Sequence, residues 1–331
     1  MLYDNMLIYI FIIVLLFYVY QKYFIIKEGI MFSSYYFKKK YEEDDITIDV
    51  KNKTLEKDND TINFRLNEAT KNFSIINKKP IINNILSKHD IPVSKSYLWD
   101  KNIPLDENLK HVQELNFPFV VKPPSGEKGH GVTTDIVSID KLLAKINSMP
   151  NKNVFIEEQA MGKEYRIMVI NDTIIGITMK SPPSIIGDGQ HSINNLINAY
   201  NKTKKEIFKI HTIDNEYIKQ QGYTIDDILP LNQKLIVTNV SNMSNGSHVT
   251  YIDIDYVHPI NIMLFKKINR VLDLKISGID FICEDISLPY YLNGVVLEVN
   301  HNPGLGIHYN VYPVDKKENL TNSVIDAMFT H

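Results

Sequence analysis

Residues 122–132 read KPPSGEKGHGV and directly follow the apolar run FPFVV at residues 117–121. The apolar run predicts a buried strand that ends at Lys122. Glycines allow consecutive backbone N–H groups to turn toward one anion, and lysines neutralise that anion. The stretch therefore indicates either an ordinary surface turn or a loop that covers phosphates, and the remainder of the chain has to distinguish the two.

The two most common nucleotide-binding motifs do not account for this loop. Gly126 and Gly131 have the spacing of a P-loop, but Val132 stands where that motif requires lysine. The pairs GHG at 129–131 and GDG at 187–189 both lack the third glycine of a dinucleotide fingerprint. A flexible loop between two strands remains as the interpretation.

The overall composition is that of an ordinary globular protein. The chain has 331 residues, 44% of them apolar and 23% charged, which argues against wholesale disorder and fits one large domain or two small ones. Its net charge of −3 gives no global basic field, so we expect no nucleic-acid partner. The single cysteine, Cys283, excludes an intramolecular disulfide and fits a reducing compartment.

The segment 6–26 is the most apolar part of the chain and holds one lysine. Its 21 residues would span about 31 Å as a helix, which matches a bilayer, so we expect a transmembrane anchor within residues 1–30. Lys27 and Lys38–Lys40 follow it, and the positive-inside rule then predicts a single-pass protein with its catalytic domain in the cytoplasm. A buried core helix is the alternative; a cleaved signal peptide is disfavoured because no basic region and no cleavage site flank the run.

The segment after the anchor is polar, and regular elements alternate beyond it. Residues 31–78 indicate a polar tether with possible short strands, such as ITIDV at 46–50. From residue 79 onward the pattern is α+β with hairpins rather than strict βαβ alternation. The predicted strands are 117–121, 154–158, 164–170, 173–179, 277–283 and 293–299, and the predicted helices are 139–149, 194–202, 260–274 and 318–329.

Two carboxylates and an amide occur on strands of apolar residues near the end of the chain. Glu298 and Asn300 in VVLEVN are two residues apart and share a face, and Asp280 lies on the strand GIDFI. We expect both strands to be buried, where an ionised carboxylate requires a cation. Oxygen ligands of this kind suit Mg²⁺. The alternative is a buried salt bridge to Arg270 or to a lysine.

Charged residues also alternate with apolar ones on the strand EYRIMVI. Glu164 and Arg166 fall on one face, and Tyr165 and Ile167 fall on the other. A surface ion pair is the plain interpretation. Lys180 ends the next predicted strand.

The histidines and the cysteine form no recognisable metal motif. There is no H-E-x-x-H and no Cys/His pair at zinc spacing. His301 and His308 flank NPGLGI, and we interpret each as a loop or substrate-side residue rather than a ligand. Cys283 falls on the strand face opposite Asp280, which predicts a small core residue rather than a nucleophile.

The order of these features resembles the ATP-grasp ligases, and more narrowly the ATP-grasp module of cyanophycin synthetase and of bifunctional glutathione synthetases. Seven stretches carry the resemblance: FVVKPPSGEKGHGV, VFIEEQAMGKEYRIMVIND, PPSIIGDGQHSINNLINAYN, NVSNMSNGSHV, YVHP, SGIDFI and LEVNHNPGLGIH. It implies an ATP-grasp fold, with two α+β subdomains gripping ATP, over residues 79–330. These divide into a leading helical segment at 79–116, a lid subdomain at 117–160 and a C-terminal subdomain at 161–330.

The resemblance also implies ligands for ATP and Mg²⁺, with Mn²⁺ as a substitute. Lys122 is expected to bind the α/β-phosphates and Glu164 the ribose. The loop over the β/γ-phosphates comprises Ser125, Gly126, Lys128, Gly129, His130 and Gly131, and the hinge that frames adenine comprises Glu157, Glu158, Gln159 and Ala160. The expected metal ligands are Asp280, Glu298 and Asn300. Arg166 and Lys180 are expected to face the transferred phosphoryl group.

The implied activity is that of an ATP-dependent carboxylate–amine ligase, which forms an amide through an acyl phosphate on an amino acid or peptide. Asn242, Ser244 and Gly246 match a stretch of the cyanophycin group, while Ser247 stands in place of its second glycine. Because the sequence has no Walker A motif, we expect at most one of the two ligations of the larger enzymes. A membrane-tethered nucleotide-binding module without turnover is an alternative, as is a ligase that uses a thiol or phosphate acceptor.

Overall fold

A computed structural model describes the chain over residues 45–49, 54–57, 60–63, 75–76, 78–125, 131–204, 206–239, 246–301 and 303–329. Within these ranges no helix combines the length and the apolar character that a bilayer crossing requires. The predicted anchor at 6–26 lies outside the described residues.

The regular elements are numbered in chain order. The strands are β1 (Thr47–Asp49), β2 (Thr54–Lys57), β3 (Asp60–Asn63), β4 (Ser96–Asp100), β5 (Phe119–Lys122), β6 (Thr133–Ile136), β7 (Asn153–Glu158), β8 (Lys163–Ile170), β9 (Thr173–Ser181), β10 (Ser184–Ile186), β11 (Lys234–Ile236), β12 (His248–Ile252), β13 (Ile276–Cys283) and β14 (Val295–Asn300). The helices are α1 (Lys79–Lys88), α2 (Leu105–Val112), α3 (Ile139–Ser148), α4 (Ile193–Thr203), α5 (Asn215–Gln220), α6 (Pro259–Leu272), α7 (Gly306–Val311) and α8 (Val314–Phe329).

The larger sheet has five antiparallel strands in the order β12-β9-β8-β13-β14. One face packs on α1 and α6, because alternate residues such as Tyr165, Ile167 and Phe281 point to that side and bury apolar surface there. The predicted alternation along β8 is therefore confirmed. Cys283 lies in the same apolar cluster, opposite Asp280, as predicted.

The other face of this sheet is apolar at one end of its strands and charged at the other. At one end Met168 and Ile170 are apolar and are covered by α8, while Glu164 and Arg166 lie on the same face at the other end of β8. The antiparallel sheet β1-β2-β3 also packs there, with Leu55 buried among residues of α8. The possible short strands predicted within 31–78 are thus present here, and they are docked on the folded domain rather than lying free in a tether.

The smaller sheet has four antiparallel strands in the order β4-β7-β5-β6. Helices α2 and α3 cover one face around a core that includes Trp99 and Phe119. Strands β5 and β6 are neighbours, so the Gly-rich loop connects two adjacent strands. Strand β4 lies within the segment 79–116, where only helical structure was predicted.

An insertion between β9 and β12 forms a small unit with its own apolar core. Strands β10 and β11 pair, and α4 and α5 pack on them around residues such as Ile197 and Leu235. Past β11, the Asn239 side chain donates to the Asp135 carboxylate at 2.5 Å. This contact ties the insertion to the smaller sheet.

Candidate functional site

On the smaller sheet, Lys122 and Glu157 form a buried ion pair. The distance from Nζ to Oε1 is 2.5 Å, and the two side chains are 9% and 6% exposed. The Lys122 ammonium also lies 5.5 Å from the centroid of the Phe155 ring. Since an ammonium carries three N–H donors, this pair fixes Lys122 at the end of β5 and leaves donors for a further acceptor.

The predicted hinge comprises the last two residues of β7, Glu157 and Glu158, and the two residues that follow the strand. The N–H of Glu158 donates to the carbonyl of Lys95, and the N–H of Gln159 donates to the carbonyl of Pro118, each at 2.9 Å. Within the described part of the chain, the N–H of Ala160 donates to no acceptor. The backbone at Ala160 is therefore open to hydrogen bonding by a ligand.

On the larger sheet, one transverse row crosses all five strands on a single face. Cross-strand pairing places these residues side by side. In order from β12 to β14, the row consists of Tyr251, Thr178, Arg166, Asp280 and Glu298. Lys180 and Glu164 form the adjacent row on the same face.

Asp280 is the centre of this row and is buried. Arg166 donates to both of its oxygens, from Nε and from Nη2, at 2.9 Å each. Lys180 Nζ adds a contact of 2.8 Å to Oδ1, and Asn300 Nδ2 adds one of 3.2 Å to Oδ2. Each oxygen thus accepts two hydrogen bonds, which is the capacity of an ionised carboxylate.

Two carboxylates share Lys180 and differ in their affinity for protons. Lys180 forms ion pairs with both Glu164 and Asp280. Burial alone would raise the pKa of Asp280, but the charges of Arg166 and Lys180 outweigh it and hold that pKa below its ordinary value. Burial raises the pKa of Glu164. Burial would lower the pKa of Lys180, but the two carboxylates raise it, so Lys180 stays charged.

Glu298 is less buried than predicted. Its side chain is 37% exposed, and its Oε1 lies 2.5 Å from Nζ of Lys79, at the start of α1. The strand was predicted to be largely buried from its apolar residues, and it is buried only in part because β14 is the last strand of its sheet. Arg270, the partner considered from sequence, instead pairs with Asp172.

The expected metal ligands have suitable chemistry but are already paired. Asp280 and Glu298 lie directly opposite each other on β13 and β14, with Asn300 on the same face. Two carboxylates and an amide oxygen suit a hard divalent cation. Among the described residues, no group of three or more His, Cys, Asp or Glu side chains is placed to hold a metal ion. The three residues fit Mg²⁺ when the lysine side chains that contact Glu298 and Asp280 move away and free carboxylate oxygens.

Several expected site residues lie outside the described part of the chain. Gly126, Lys128, Gly129 and His130 lie outside the described residues, as do Asn242 and Ser244. Ser125 and Gly131, on either side of the Gly-rich loop, are exposed. No hydrogen bond or ion pair joins the Lys122–Glu157 pair to the row on the larger sheet within the part of the chain that the structure describes.

Sequence reasoning missed or misplaced three residues beside the row. Lys79 was not considered, although two lysines before a proline mark the start of α1. Thr178 carries no signal in the sequence beyond its place in the strand predicted at 173–179. His308 is buried on α7 rather than in a loop, and its other interpretation, as a substrate-side residue, stays a prediction. By contrast, burial raises the pKa of Cys283 to about 12, which agrees with its interpretation as an inert core residue.

Part of the chain matches a known protein family. Residues 77–260, more than half of the chain, match the RimK-like ATP-grasp domain. The chain belongs to the RimK-like ATP-grasp family. The family inferred from the seven sequence stretches is therefore confirmed, together with the α+β ATP-grasp fold. The match ends before Asp280, Glu298 and Asn300, so their roles stay predictions.

Relatives of this ATP-grasp protein include larger proteins. A cyanophycin synthetase of Trichormus variabilis is 28% identical over 259 residues, covering 74% of this chain and 28% of that protein. A bifunctional glutathione biosynthesis protein of Clostridium perfringens is 27% identical over 272 residues, covering 77% and 34%. The chain thus spans about a third or less of the length of these curated relatives.

Solved structures support the same fold. The crystal structure of a bifunctional glutathione synthetase from Pasteurella multocida superimposes with a TM-score of 0.58 at 23% identity, covering 86% of this chain and 41% of that one. At this identity the likeness bears on the ATP-grasp fold alone.

Proposed function

We propose that this protein is an ATP-dependent carboxylate–amine ligase that acts on an amino acid or a peptide. The observation that carries the proposal is the row of charged side chains on one face of the five-stranded ATP-grasp sheet, centred on buried Asp280. The names of the relatives, a synthetase of cyanophycin and proteins of glutathione biosynthesis, support amide formation as the reaction class.

ATP binds, in this proposal, between the two sheets. Lys122, fixed by Glu157, contacts the α/β-phosphates with its remaining N–H donors. The loop from Ser125 to Gly131 covers the β/γ-phosphates, and the backbone of the hinge frames adenine. Glu164 binds the ribose after releasing Lys180.

The reaction takes place at the row on the larger sheet. A substrate carboxylate attacks the γ-phosphate and releases ADP; an amine then attacks the acyl phosphate, forming the amide and releasing phosphate. Arg166 and Lys180 neutralise charge on the transferred phosphoryl group. Asp280, Glu298 and Asn300 hold Mg²⁺, which when bound stabilises negative charge on the phosphates. The loop excludes water from the acyl phosphate.

A direct test measures ADP release by the full chain with Mg-ATP and the twenty amino acids, then dipeptides. We expect stoichiometric ADP and a product whose mass is the sum of two substrates less one water, and no product when EDTA removes the metal. Binding of Mg-ATP with no ADP above background would instead favour a binding module without turnover. A product containing a thioester would favour the thiol-acceptor ligase.

We also propose that residues 6–26 anchor the protein in a membrane as a single span, with the ATP-grasp domain on the cytoplasmic side. The apolar run and the lysines that follow it support this topology. In this proposal residues 79–330 form the catalytic region, and the boundary between its lid subdomain and its C-terminal subdomain lies near residue 160.

Two shortened chains test the anchor. A chain that begins at Ser33 is expected to be soluble and to bind Mg-ATP as the full chain does, because it keeps the docked strands β1–β3. A chain that begins at Lys79 loses the contact of Leu55 with the α8 core and is expected to melt earlier. Aggregation of the chain from Ser33 would show that the apolar segment belongs to the core.

A further inference from the structure

Two buried polar side chains on the face of the charged row each have a polar atom with no hydrogen-bond partner among the described residues. They are Thr178, whose Oγ1 is unpaired, and His308, whose Nδ1 is unpaired. The residues are 0% and 1% exposed. A buried polar atom without a partner costs free energy, so a native structure that retains two of them on one face of a sheet calls for an explanation.

Both groups lie on the face of the larger sheet that carries Arg166. Thr178 is its direct cross-strand neighbour in the transverse row. His308 packs on the same face over Gly176, where a Cβ would lie 2.8 Å from Nδ1. On the other side of Arg166, a Cβ at Gly278 would lie 2.7 Å from Nη1. Because Gly176 has no side chain, His308 can pack against the strand, and Gly278 likewise leaves room for the guanidinium of Arg166. A side chain at either position would occupy the same space as these groups.

These groups form a set of hydrogen-bond donors. Arg166 uses Nε and Nη2 for Asp280, and among the described residues its Nη1 has no acceptor. A threonine hydroxyl and a neutral imidazole can each donate one hydrogen bond. Burial, together with the charge of Arg166, lowers the pKa of His308 to about 3, so the imidazole is neutral at pH 7.

We propose that Thr178, His308 and Nη1 of Arg166 form a subsite for a substrate carboxylate, such as the carboxyl end of an amino acid or peptide. One fixed positive charge and two neutral donors match a planar anion, and the orphaned atoms gain partners when it binds. The subsite lies beside Asp280 and Lys180, where the reaction is proposed to occur. This inference rests on the proposed ligase function and assigns Thr178 and His308 to substrate recognition.

The test uses two ligands that differ only in the group recognised. N-acetylglycine carries a carboxylate, and N-acetylglycinamide replaces it with a neutral amide. Each is titrated by calorimetry into the full chain saturated with Mg²⁺ and a non-hydrolysable ATP analogue. The wild-type protein is expected to bind N-acetylglycine and to discriminate against the amide by at least tenfold.

Two variants remove single donors while preserving shape. Thr178→Val and His308→Phe are each expected to raise the Kd for N-acetylglycine about tenfold, equivalent to about 1.4 kcal/mol. The Kd for the ATP analogue is expected to stay within twofold. Thr178→Ser, which keeps the hydroxyl, is expected to retain binding, as is the matched control Thr250→Val on the exposed face of β12.

The outcomes separate this inference from the ligase proposal. Nucleotide binding without carboxylate discrimination, or an unchanged Kd in Thr178→Val, overturns the subsite and leaves the ligase proposal standing. Failure of the wild-type chain to bind the ATP analogue overturns the ligase proposal and the subsite with it. If His308→Phe does not fold, the nearly isosteric Thr178→Val decides alone.

Discussion

Replacement of Glu298 by Gln is expected to lower ATP turnover at least a hundredfold while the chain stays folded. The substitution keeps the size and hydrogen-bonding capacity of the side chain but removes one negative charge from the proposed Mg²⁺ site. A hundredfold loss corresponds to about 2.7 kcal/mol of transition-state stabilisation, a reasonable effect for one ligand of a catalytic metal. The measurement is ADP release under saturating Mg-ATP. The Mg²⁺ concentration that gives half-maximal turnover is expected to rise as well.

The same variant is expected to lose little stability. Glu298 is 37% exposed and pairs with Lys79, so its removal costs about 1 kcal/mol, as for other partly exposed ion pairs. The melting temperature should fall by a few degrees at most. Glu206→Gln serves as the control, because Glu206 also pairs with a lysine, Lys209 at 2.6 Å, at an exposed site in the insertion between β9 and β12.

A different pattern would argue against the metal site. If Glu298→Gln melts much earlier than Glu206→Gln but turns over ATP normally while folded, Glu298 is a structural partner of Lys79 and no metal ligand. Both quantities are to be measured on the same preparations, so that loss of folded protein cannot imitate loss of catalysis.

Replacement of Lys122 by Met is expected to lower both stability and nucleotide affinity. The change strands the Glu157 carboxylate, whose side chain is 6% exposed, without a counter-charge. Breaking one half of a buried ion pair in this way costs about 3–5 kcal/mol of unfolding free energy. The Kd for Mg-ATP should rise at least a hundredfold, about 2.7 kcal/mol, because Lys122 is the proposed phosphate ligand. Urea denaturation and titration with a fluorescent ATP analogue report the two effects.

The double variant Lys122→Met/Glu157→Gln separates these effects. Removing the stranded charge should restore most of the stability, whereas nucleotide affinity should stay low. Lys316→Met is the matched control, since Lys316 also pairs with a carboxylate and lies 4.9 Å from an aromatic centroid, but at a half-exposed site. It should cost about 1 kcal/mol or less and leave Mg-ATP binding unchanged. A stable double variant with normal affinity would limit Lys122 to a structural role.

The faces of the larger sheet could be predicted from sequence because strand periodicity fixes them. Glu164 and Arg166 alternate with Tyr165 and Ile167, and the structure places these pairs on opposite faces. Asp280 was expected to be buried, and it is. These properties depend only on residues one or two positions apart.

The partners of the carboxylates could not be predicted, because they depend on how distant elements dock. Lys79 and Glu298 are 219 residues apart in sequence, and Arg166 and Asp280 are 114 apart. The exposure of Glu298 follows from the place of β14 at the end of the sheet, which its apolar neighbours do not indicate. Strands β4 and β6 were missed for a local reason, since five and four residues give too little alternation to read.

The pairing on the larger sheet has a consequence for the order in which ligands add. Three cationic side chains are matched by three carboxylates, so the cluster as a whole is electrically neutral; its members are Lys79, Arg166, Lys180, Glu164, Asp280 and Glu298. A neutral cluster gives a free divalent cation little attraction, and each carboxylate already has a competing cation. Polyphosphate draws the lysines to itself and frees carboxylate oxygens as it enters. We therefore expect the metal to arrive together with the nucleotide, and free Mg²⁺ alone to leave the melting temperature unchanged.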